Sequence, residues 1–106
     1  MPHVFNDLAQ LVGRVEQDGG VYTMQGRSVG AVQPGGSVYD ATGQLVGGVS
    51  ASGLIYDRQG TQVGEVHLDG GIYAWARTYV GYVAAGMSLV AMGGAALLLL
   101  LDESQQ

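Results

Sequence analysis

Residues 38–54 read VYDATGQLVGGVSASGL, and this block of seventeen residues is written five times in the chain. The copies begin near residues 4, 21, 38, 55 and 72. One glycine of each copy falls in a shared column that consists of Gly13, Gly30, Gly47, Gly64 and Gly81. A register held this strictly defines an internal repeat, in which each copy is one supersecondary unit.

Each copy contains two short apolar runs joined by turn residues. In the third copy Asp40 and Gly43 bracket the first turn, where an aspartate can bond the backbone two residues on and a glycine accepts left-handed dihedral angles. In the first and fifth copies Ala9 and Arg77 take the place of that glycine. A second turn through a glycine such as Gly36 returns the chain, so each copy predicts a β-hairpin.

The second strand of each copy carries a Val-Gly-x-Val pattern. Valines three apart face opposite sides of a regular strand, so we expect a bulge at the glycine that turns both inward, and a close backbone approach there. Strands this short must pack against neighbouring copies. We therefore predict an all-β fold in which five hairpins close into a radial, propeller-like ring over residues 1–78, with a short β-roll or solenoid as the alternative.

The iterated Tyr-Asp-x-x-Gly-x-x-Val-Gly-x-Val pattern resembles the small bacterial proteins called β-flower repeats, described as four-fold or five-fold. The resemblance covers about residues 4–83. It implies a radial arrangement of hairpins, and it implies no activity, catalytic residue or cofactor.

An uncharged, apolar stretch runs from Val83 to Leu101. At about 1.5 Å per residue it is long enough to cross the roughly 30 Å of hydrocarbon in a bilayer. A β domain of about eighty residues is not expected to enclose a helix that is apolar on every face. We therefore predict that residues 79–101 form interfacial residues and a single-pass, tail-anchoring transmembrane helix, followed by a polar tail at 102–106.

Aromatic and basic residues precede this stretch, as expected where a helix enters the headgroup layer. They are Trp75, Arg77, Tyr79 and Tyr82. Arginine on this side and only Asp102 and Glu103 on the other place the repeat domain on the cytoplasmic side by the positive-inside rule. Residues 1–7 lack the pattern of a secretory signal, which agrees with that placement.

Small residues line two faces of the predicted helix. One face holds Ala84, Ser88, Ala91 and Ala95, and the other holds Gly86 and Gly93. Because lipid gives no hydrophobic reason for helices to associate, close packing between small residues draws them together. We therefore predict that these faces pack against other membrane helices.

The composition excludes several kinds of chemistry. Net charge is −5 with four basic residues, so nucleic acid is not an expected partner. There is no cysteine, and His3 and His67 fall at different repeat positions, so we predict no catalytic residue, metal site or cofactor. Asp40 and Asp57 are either a calcium pair or turn formers, and the absence of the acid from other copies favours turns.

A column of tyrosines follows the first apolar residue of each copy. Its members are Tyr22, Tyr39, Tyr56 and Tyr73, with Phe5 in the first copy. Residues that flank an inward valine point outward, so the column predicts either an aromatic surface for a ligand or a set of cross-strand packing partners. The packing interpretation is the more common one.

Together these patterns predict a non-enzymatic, membrane-anchored interaction module. Its expected role is that of a small accessory subunit that stabilises a larger membrane protein complex, for example a respiratory or photosynthetic one. The expected partners are other membrane subunits and the lipid bilayer. The alternatives are a self-associating scaffold, which would form a homo-oligomer, and a small-ligand-binding domain.

Overall fold

The computed structural model describes residues 3–74, 77–84 and 88–101, which form ten strands and one helix. The strands are β1 His3–Asn6, β2 Leu11–Val15, β3 Gly20–Thr23, β4 Ser28–Val32, β5 Ser37–Asp40, β6 Leu45–Val49, β7 Leu54–Asp57, β8 Gln62–Val66, β9 Gly71–Ala74 and β10 Thr78–Val83. The helix is α1 Leu89–Leu99.

The ten strands form one closed antiparallel barrel in chain order. Each repeat contributes two adjacent strands, and the ring closes where β1 pairs with β10, with Val4 opposite Val83. The predicted closed ring is therefore confirmed at the level of a ten-strand barrel, and the linear solenoid is not what forms. The predicted domain boundary at residue 78 falls at the first residue of β10, so the barrel extends to Val83 because β1 requires that partner.

Lumen-facing side chains form layers of five, one member from each repeat. The odd strands contribute Val4, Val21, Val38, Ile55 and Ile72, and the even strands contribute Val15, Val32, Val49, Val66 and Val83. All ten side chains are buried. A third layer consists of the five repeat glycines, two positions before the even-strand valines. The alternation of a strand therefore points glycine and valine to the same side.

The predicted bulge is present, but it lies one residue before the glycine. Val4 pairs with Gly13 and Phe5 pairs with Leu11, which leaves Val12 as the extra residue. The same register shift recurs in every repeat. As a result Val12 packs half-buried against the core, while Val15 lies fully inside it.

In the first four copies the first turn has the geometry that its sequence predicts. Asp40 Oδ1 accepts hydrogen bonds from the backbone N–H of Thr42 at 2.9 Å and of Gln44 at 3.0 Å. Gly43 has a φ of 87°, and Ala9 and Arg77 hold the same left-handed position with φ of 63° and 64°. The turn therefore imposes this conformation even on residues with a Cβ.

The helix α1 lies in the lumen of the barrel. Ser88 caps its N-terminus by accepting a 3.1 Å hydrogen bond from the N–H of Ala91. A Cβ on Gly93 would lie 2.7 Å from Val49, and one on Gly94 would overlap Val32, so both glycines let the helix lie close against the wall of two neighbouring repeats. The expectation that so small a β domain cannot enclose an apolar helix is wrong, because ten strands with a glycine layer leave a wide lumen.

The transmembrane prediction for residues 79–101 is not supported. Residues 78–83 are a barrel strand, and α1 has 11 residues. None of the helical structure in the described part of the chain has the length and hydrophobicity that crossing a membrane requires.

The C-terminal end of α1 distributes one leucine to each repeat. Cβ atoms built on the repeat glycines would lie 2.8 to 3.1 Å from leucine Cδ atoms, in the pairs Gly47–Leu97, Gly30–Leu98, Gly13–Leu99, Gly81–Leu100 and Gly64–Leu101. Neighbouring repeats are separated by one-fifth of a circle, whereas an α-helix turns by more than that, about 100° per residue. The N–H of Leu101 bonds Ala96 O, five residues back, so the last turn is widened toward π-helical geometry and fits the five-fold ring more closely.

Candidate functional site

The two ends of the barrel differ in charge. At one end, which we call the arginine mouth, the hairpin turns of the second, fourth and fifth repeats carry Arg27, Arg58 and Arg77, whose charge is balanced by Asp7, Asp40 and Asp57 at the same end. At the opposite end, the acidic mouth, the turns between hairpins carry Glu16, Asp18 and Asp69 and no arginine. The leucines Leu97–Leu101 end at the arginine mouth, and Ser88 lies at the acidic mouth.

A pocket of about 390 Å³ opens in the arginine mouth between the third and fourth repeats. Its floor is formed by Leu97 and Leu101, and its walls include Leu45, Val46 and Val63. We call it the seam pocket. Its volume lies at the lower end of the range typical of small-molecule sites, about 300–1,000 Å³.

The position of the seam pocket follows from the screw of the helix. Five successive leucines pass once around the ring, so the first, Leu97, and the last, Leu101, fall on neighbouring repeats. Leu97 lies within α1 and Leu101 lies two residues beyond its end, so these two side chains reach the wall from different positions along the helix axis. The leucines therefore leave one gap in the ring, at the place where the last leucine of the series lies beside the first. The seam pocket lies in this gap.

Polar side chains form the rim of the seam pocket. They are Asp40, Gln44, Asp57, Arg58 and Gln59. Both carboxylates are engaged in their own turns: Asp57 Oδ1 accepts from the N–H of Gln59 at 2.9 Å, as Asp40 does from Thr42. The hydrogen bond from the Thr42 hydroxyl, at 2.7 Å, and then that from Gln44 N–H, hold the pKa of Asp40 below its ordinary value of 3.8. The predicted role of these acids in turn formation is therefore seen directly.

Exposed apolar side chains are concentrated at the arginine mouth. Leu8 and Met24, at the turns of the first and second repeats, are 73% and 59% exposed, and Leu45 on the pocket wall is 43% exposed. The acidic mouth carries Leu68, which is 85% exposed. Of these side chains Leu45 adjoins the apolar floor of the seam pocket, and an exposed apolar side chain beside an apolar pocket is typical of an interaction surface.

A second, smaller pocket of about 250 Å³ lies at the acidic mouth. It is lined by the turn residues Asp18 and Pro34 and by Ser88, Val90 and Ala91 at the start of the helix. It marks the gap between the barrel wall and the narrow, alanine- and glycine-rich part of the helix.

The tyrosine column lies on the outer wall, where cross-strand neighbours cover some of its members. The guanidinium of Arg14 lies 4.6 Å from the ring centroid of Tyr22, and the rings of His67 and Tyr79 lie 4.6 and 5.6 Å from that of Tyr73. In contrast, Tyr39 pairs across the strands with Ala31, and Tyr56 with Gly48. On the other side Tyr39 pairs with Leu45 and Tyr56 with Gln62, so each of these two rings has one small and one larger cross-strand neighbour.

The residues predicted to pack against membrane helices lie at several depths. Gly93 and Ala95 are buried against the barrel strands, and Ala91 is half-buried. Ser88 is the exposed helix cap, and the N–H of Ala84 bonds His3 O beside the closing strand. Gly86 lies outside the described residues.

Of the residues predicted to lie at a membrane interface, two belong to β10. Tyr82 stacks on Phe5 with ring centroids 4.8 Å apart, and Tyr79 is exposed beside Tyr73. Arg77 is exposed directly before the same strand. Trp75 lies outside the described residues.

The two histidines are on different strands of the outer wall, His3 in β1 and His67 directly after β8. His67 Nε2 lies 2.6 Å from Glu65 Oε2, and His3 packs edge-on against Phe5. Within residues 3–74, 77–84 and 88–101, no three His, Cys, Asp or Glu side chains come close enough together to hold a metal ion.

Sequence reasoning missed the main components of the site, Leu97 and Leu101. The signal was available, because the chain has five repeats and ends its apolar stretch with five consecutive leucines. Matching one leucine to each repeat glycine would have placed the spiral, and hence the seam, inside the ring.

The fold and the site define a closed barrel of five hairpins with its own C-terminal helix as the core. Searches of family models, of curated proteins and of solved structures each returned no match to this chain.

Proposed function

We propose that the protein is a non-enzymatic interaction module that docks on a partner through the arginine mouth, with the seam pocket receiving one apolar side chain of that partner. The observation that supports this proposal most directly is the pocket itself, which has an apolar floor and a polar rim. Interfaces commonly combine a buried apolar anchor with a polar rim of this kind.

The chemistry of the rim favours recognition over catalysis. The carboxylates of Asp40 and Asp57 already accept backbone hydrogen bonds that hold their turns. The pKa of Asp40 is lowered, which keeps that group ionised and unsuited to proton transfer near neutral pH. The rim therefore provides charge and shape for docking.

Docking through the mouth requires no part of the helix to leave the barrel. The sequence predicted an accessory subunit of a respiratory or photosynthetic complex at the cytoplasmic side of a membrane, and that role stays a prediction. It is compatible with this proposal if the barrel is the part that docks. The β-flower resemblance stays a prediction as well, and it bears on fold more than on partner.

The proposal is tested with paired variants. Leu45→Asp places a charge on the pocket wall, and Leu68→Asp places the same charge at the opposite mouth, both at exposed positions. Each form is produced in the native cells, and assembly size is measured in mild detergent by native electrophoresis. We expect the wild type and Leu68→Asp to migrate in one larger assembly and Leu45→Asp to be released from it. Equal migration of all three forms would contradict docking through the seam pocket.

A further inference from the structure

We infer that the strand pair β1–β10 is a lateral gate of the barrel, and that α1 enters and leaves the lumen sideways through this gate. The stacked rings of Phe5 and Tyr82 hold the gate shut. The inference is independent of the proposed function, because it concerns the side wall of the barrel and not the arginine mouth.

Entry of the helix through a mouth is unfavourable. Ser88 lies at the acidic mouth, and Leu101 lies on the floor of the seam pocket at the arginine mouth. The chain runs on from Leu101 into Asp102 and Glu103. If the ring closed first, these two carboxylates would have to pass along a lumen lined by valine and isoleucine, where each would lose its water without gaining a partner. The ring therefore closes around a helix that is already in place.

The pair β1–β10 is the place where the ring opens with the least loss. Among the ten described strands, every other pair of neighbours in the barrel is consecutive in the chain, so a short connection holds it together. Hydrogen bonds and side-chain contacts alone join β1 to β10, from Val4 opposite Val83 to Asn6 opposite Gly81. Separation of these two strands leaves all the hairpins paired.

The helix has no polar attachment that would oppose its exit. In the part of the chain that the structure describes, no hydrogen bond joins α1 to the barrel wall, and its N-terminal bonds end on its own cap, as from Met92 N–H to Ser88 O. The contacts with the wall are apolar, such as that of Gly93 with Val49. Movement of α1 out of an open ring therefore breaks no hydrogen bond.

The repeat departs from its own pattern at the gate. The aromatic residue of each copy faces, across the boundary with the preceding copy, the third residue of a Val-Gly-x-Val pattern. At the other boundaries this neighbour is Arg14, Ala31, Gly48 or Glu65. At the gate it is Tyr82, which stacks on Phe5 with ring centroids 4.8 Å apart and 18° between the ring planes. An aromatic pair, which is among the stronger cross-strand contacts, thus occurs at the boundary that has no covalent connection.

Thiol labelling tests the gate. The Ala95→Cys chain carries its single thiol in the lumen. We expect a water-soluble maleimide to reach this thiol at a rate that depends less steeply on urea than global unfolding does, because opening one strand pair exposes little surface. Added Tyr82→Ala is expected to speed labelling without urea by about tenfold, through loss of the stacked pair.

Matched variants make this test specific. Arg14→Ala removes a side chain from the same repeat position at a boundary with a covalent connection, and it is expected to change the labelling rate by less than about threefold. Phe5→Leu removes the stack but keeps an apolar side chain, and it is expected to speed labelling as Tyr82→Ala does. Circular dichroism checks that each variant is folded. Labelling with the full urea dependence of global unfolding, or equal acceleration by the Arg14 and Tyr82 changes, would overturn the gate.

A bulky C-terminus tests the direction of entry. A domain that stays folded in the urea that unfolds the barrel is fused after residue 106, and the fused Ala95→Cys chain is refolded by dilution. Such a domain is too large to pass through the lumen. We expect the introduced thiol to be as well protected in the fused chain as in the unfused one, because the ring closes around the helix from the side. A thiol that is exposed only in the fused chain would show entry through a mouth and would overturn the inference.

Discussion

Gly47 and Leu97 share a contact that leaves no room for a Cβ atom. A Cβ built on Gly47 would lie 2.9 Å from Leu97 Cδ2 and closer still to the carbonyl oxygen of Tyr56. Because the opposing atoms include backbone of the next strand, the clash cannot be relieved by a rotamer change alone. The same contact recurs in all five repeats, so the glycine layer is what admits the leucine spiral.

Replacement of Gly47 by alanine is expected to lower the free energy of unfolding by about 1–3 kcal/mol, as overpacking of a core typically does. Gly48→Ala is the neighbouring control, since its Cβ would meet only Gly36 O, at 3.4 Å. That change is expected to alter stability by less than about 1 kcal/mol. Chemical denaturation measures both, and equal effects of the two variants would show that the glycine layer does not limit the fit of the helix.

Leu98→Ala tests whether the helix provides the core of the barrel. Leu98 is buried, and its truncation is expected to cost about 2–5 kcal/mol through lost apolar burial and the cavity left behind. Leu68→Ala removes the same atoms from an exposed turn and is expected to change stability by less than about 0.5 kcal/mol. A similar small loss in both variants, measured by urea unfolding, would contradict a core built on the helix.

The absence of native cysteine allows the position of the helix to be tested by thiol labelling. A single cysteine at Ala95 is expected to resist a water-soluble maleimide until the protein opens, because Ala95 is fully buried in the lumen. Leu68→Cys, at an exposed position, should be labelled at once. If the two cysteines of folded protein were labelled at the same rate, the helix would have to lie outside the barrel.

Ala9→Gly is expected to stabilise the protein. A left-handed conformation costs an L-residue about 1–2 kcal/mol, and the greater unfolded-state entropy of glycine offsets about half of that gain. The net increase in unfolding free energy should therefore be about 0.5–1 kcal/mol. Gly43→Ala, the reverse change at the same turn position, should destabilise by a similar amount, since nothing lies near its Cβ and only its φ of 87° opposes alanine. Thermal unfolding that moved both variants in the same direction would refute this account.

The pKa of Asp40 is expected to rise toward 3.8 in Thr42→Val, because valine cannot donate the hydroxyl hydrogen bond that is the largest cause of the lowered value. A lowered folded-state pKa adds stability above the unfolded value, and this contribution is lost as pH falls through the folded-state pKa. The stability of the variant should thus depend less steeply on pH in the acid range below 3.8. Titration of the Asp40 carboxyl carbon by NMR gives the direct readout, and an unchanged midpoint would contradict the assignment.

Much of the fold could be predicted from local patterns. The spacing of Asp40 and Gly43 gave the first turn, and the shared columns gave ten short strands for which a ring was favoured over a solenoid. The left-handed conformation at Ala9 and Arg77, where the glycine is missing, was not predicted. The bulge was placed one residue too late, since both Val12 and Gly13 satisfy the pattern and only the pairing with β1 distinguishes them. The turns and the short strands depend on a few neighbouring residues, so a single copy carries them.

The candidate site could not be predicted in the same way. The apolar stretch up to Leu101 was assigned to a membrane because hydropathy measures only how strongly side chains avoid water. A bilayer and a sufficiently wide protein lumen both satisfy that preference. The choice between them depends on the width of a ten-strand ring and on the room left by its glycines. Neither quantity can be obtained from the sequence of one segment alone.

The sequence alone determined the repeat and its hairpins, because both follow from turn chemistry and side-chain alternation repeated at a fixed interval, and it favoured a closed ring over a solenoid. Only the tertiary structure decided where the apolar helix lies, which leucine meets which glycine and where the seam pocket opens. The physical reason is that these depend on matching a helical screw to a five-fold ring, a relationship between distant parts of the chain.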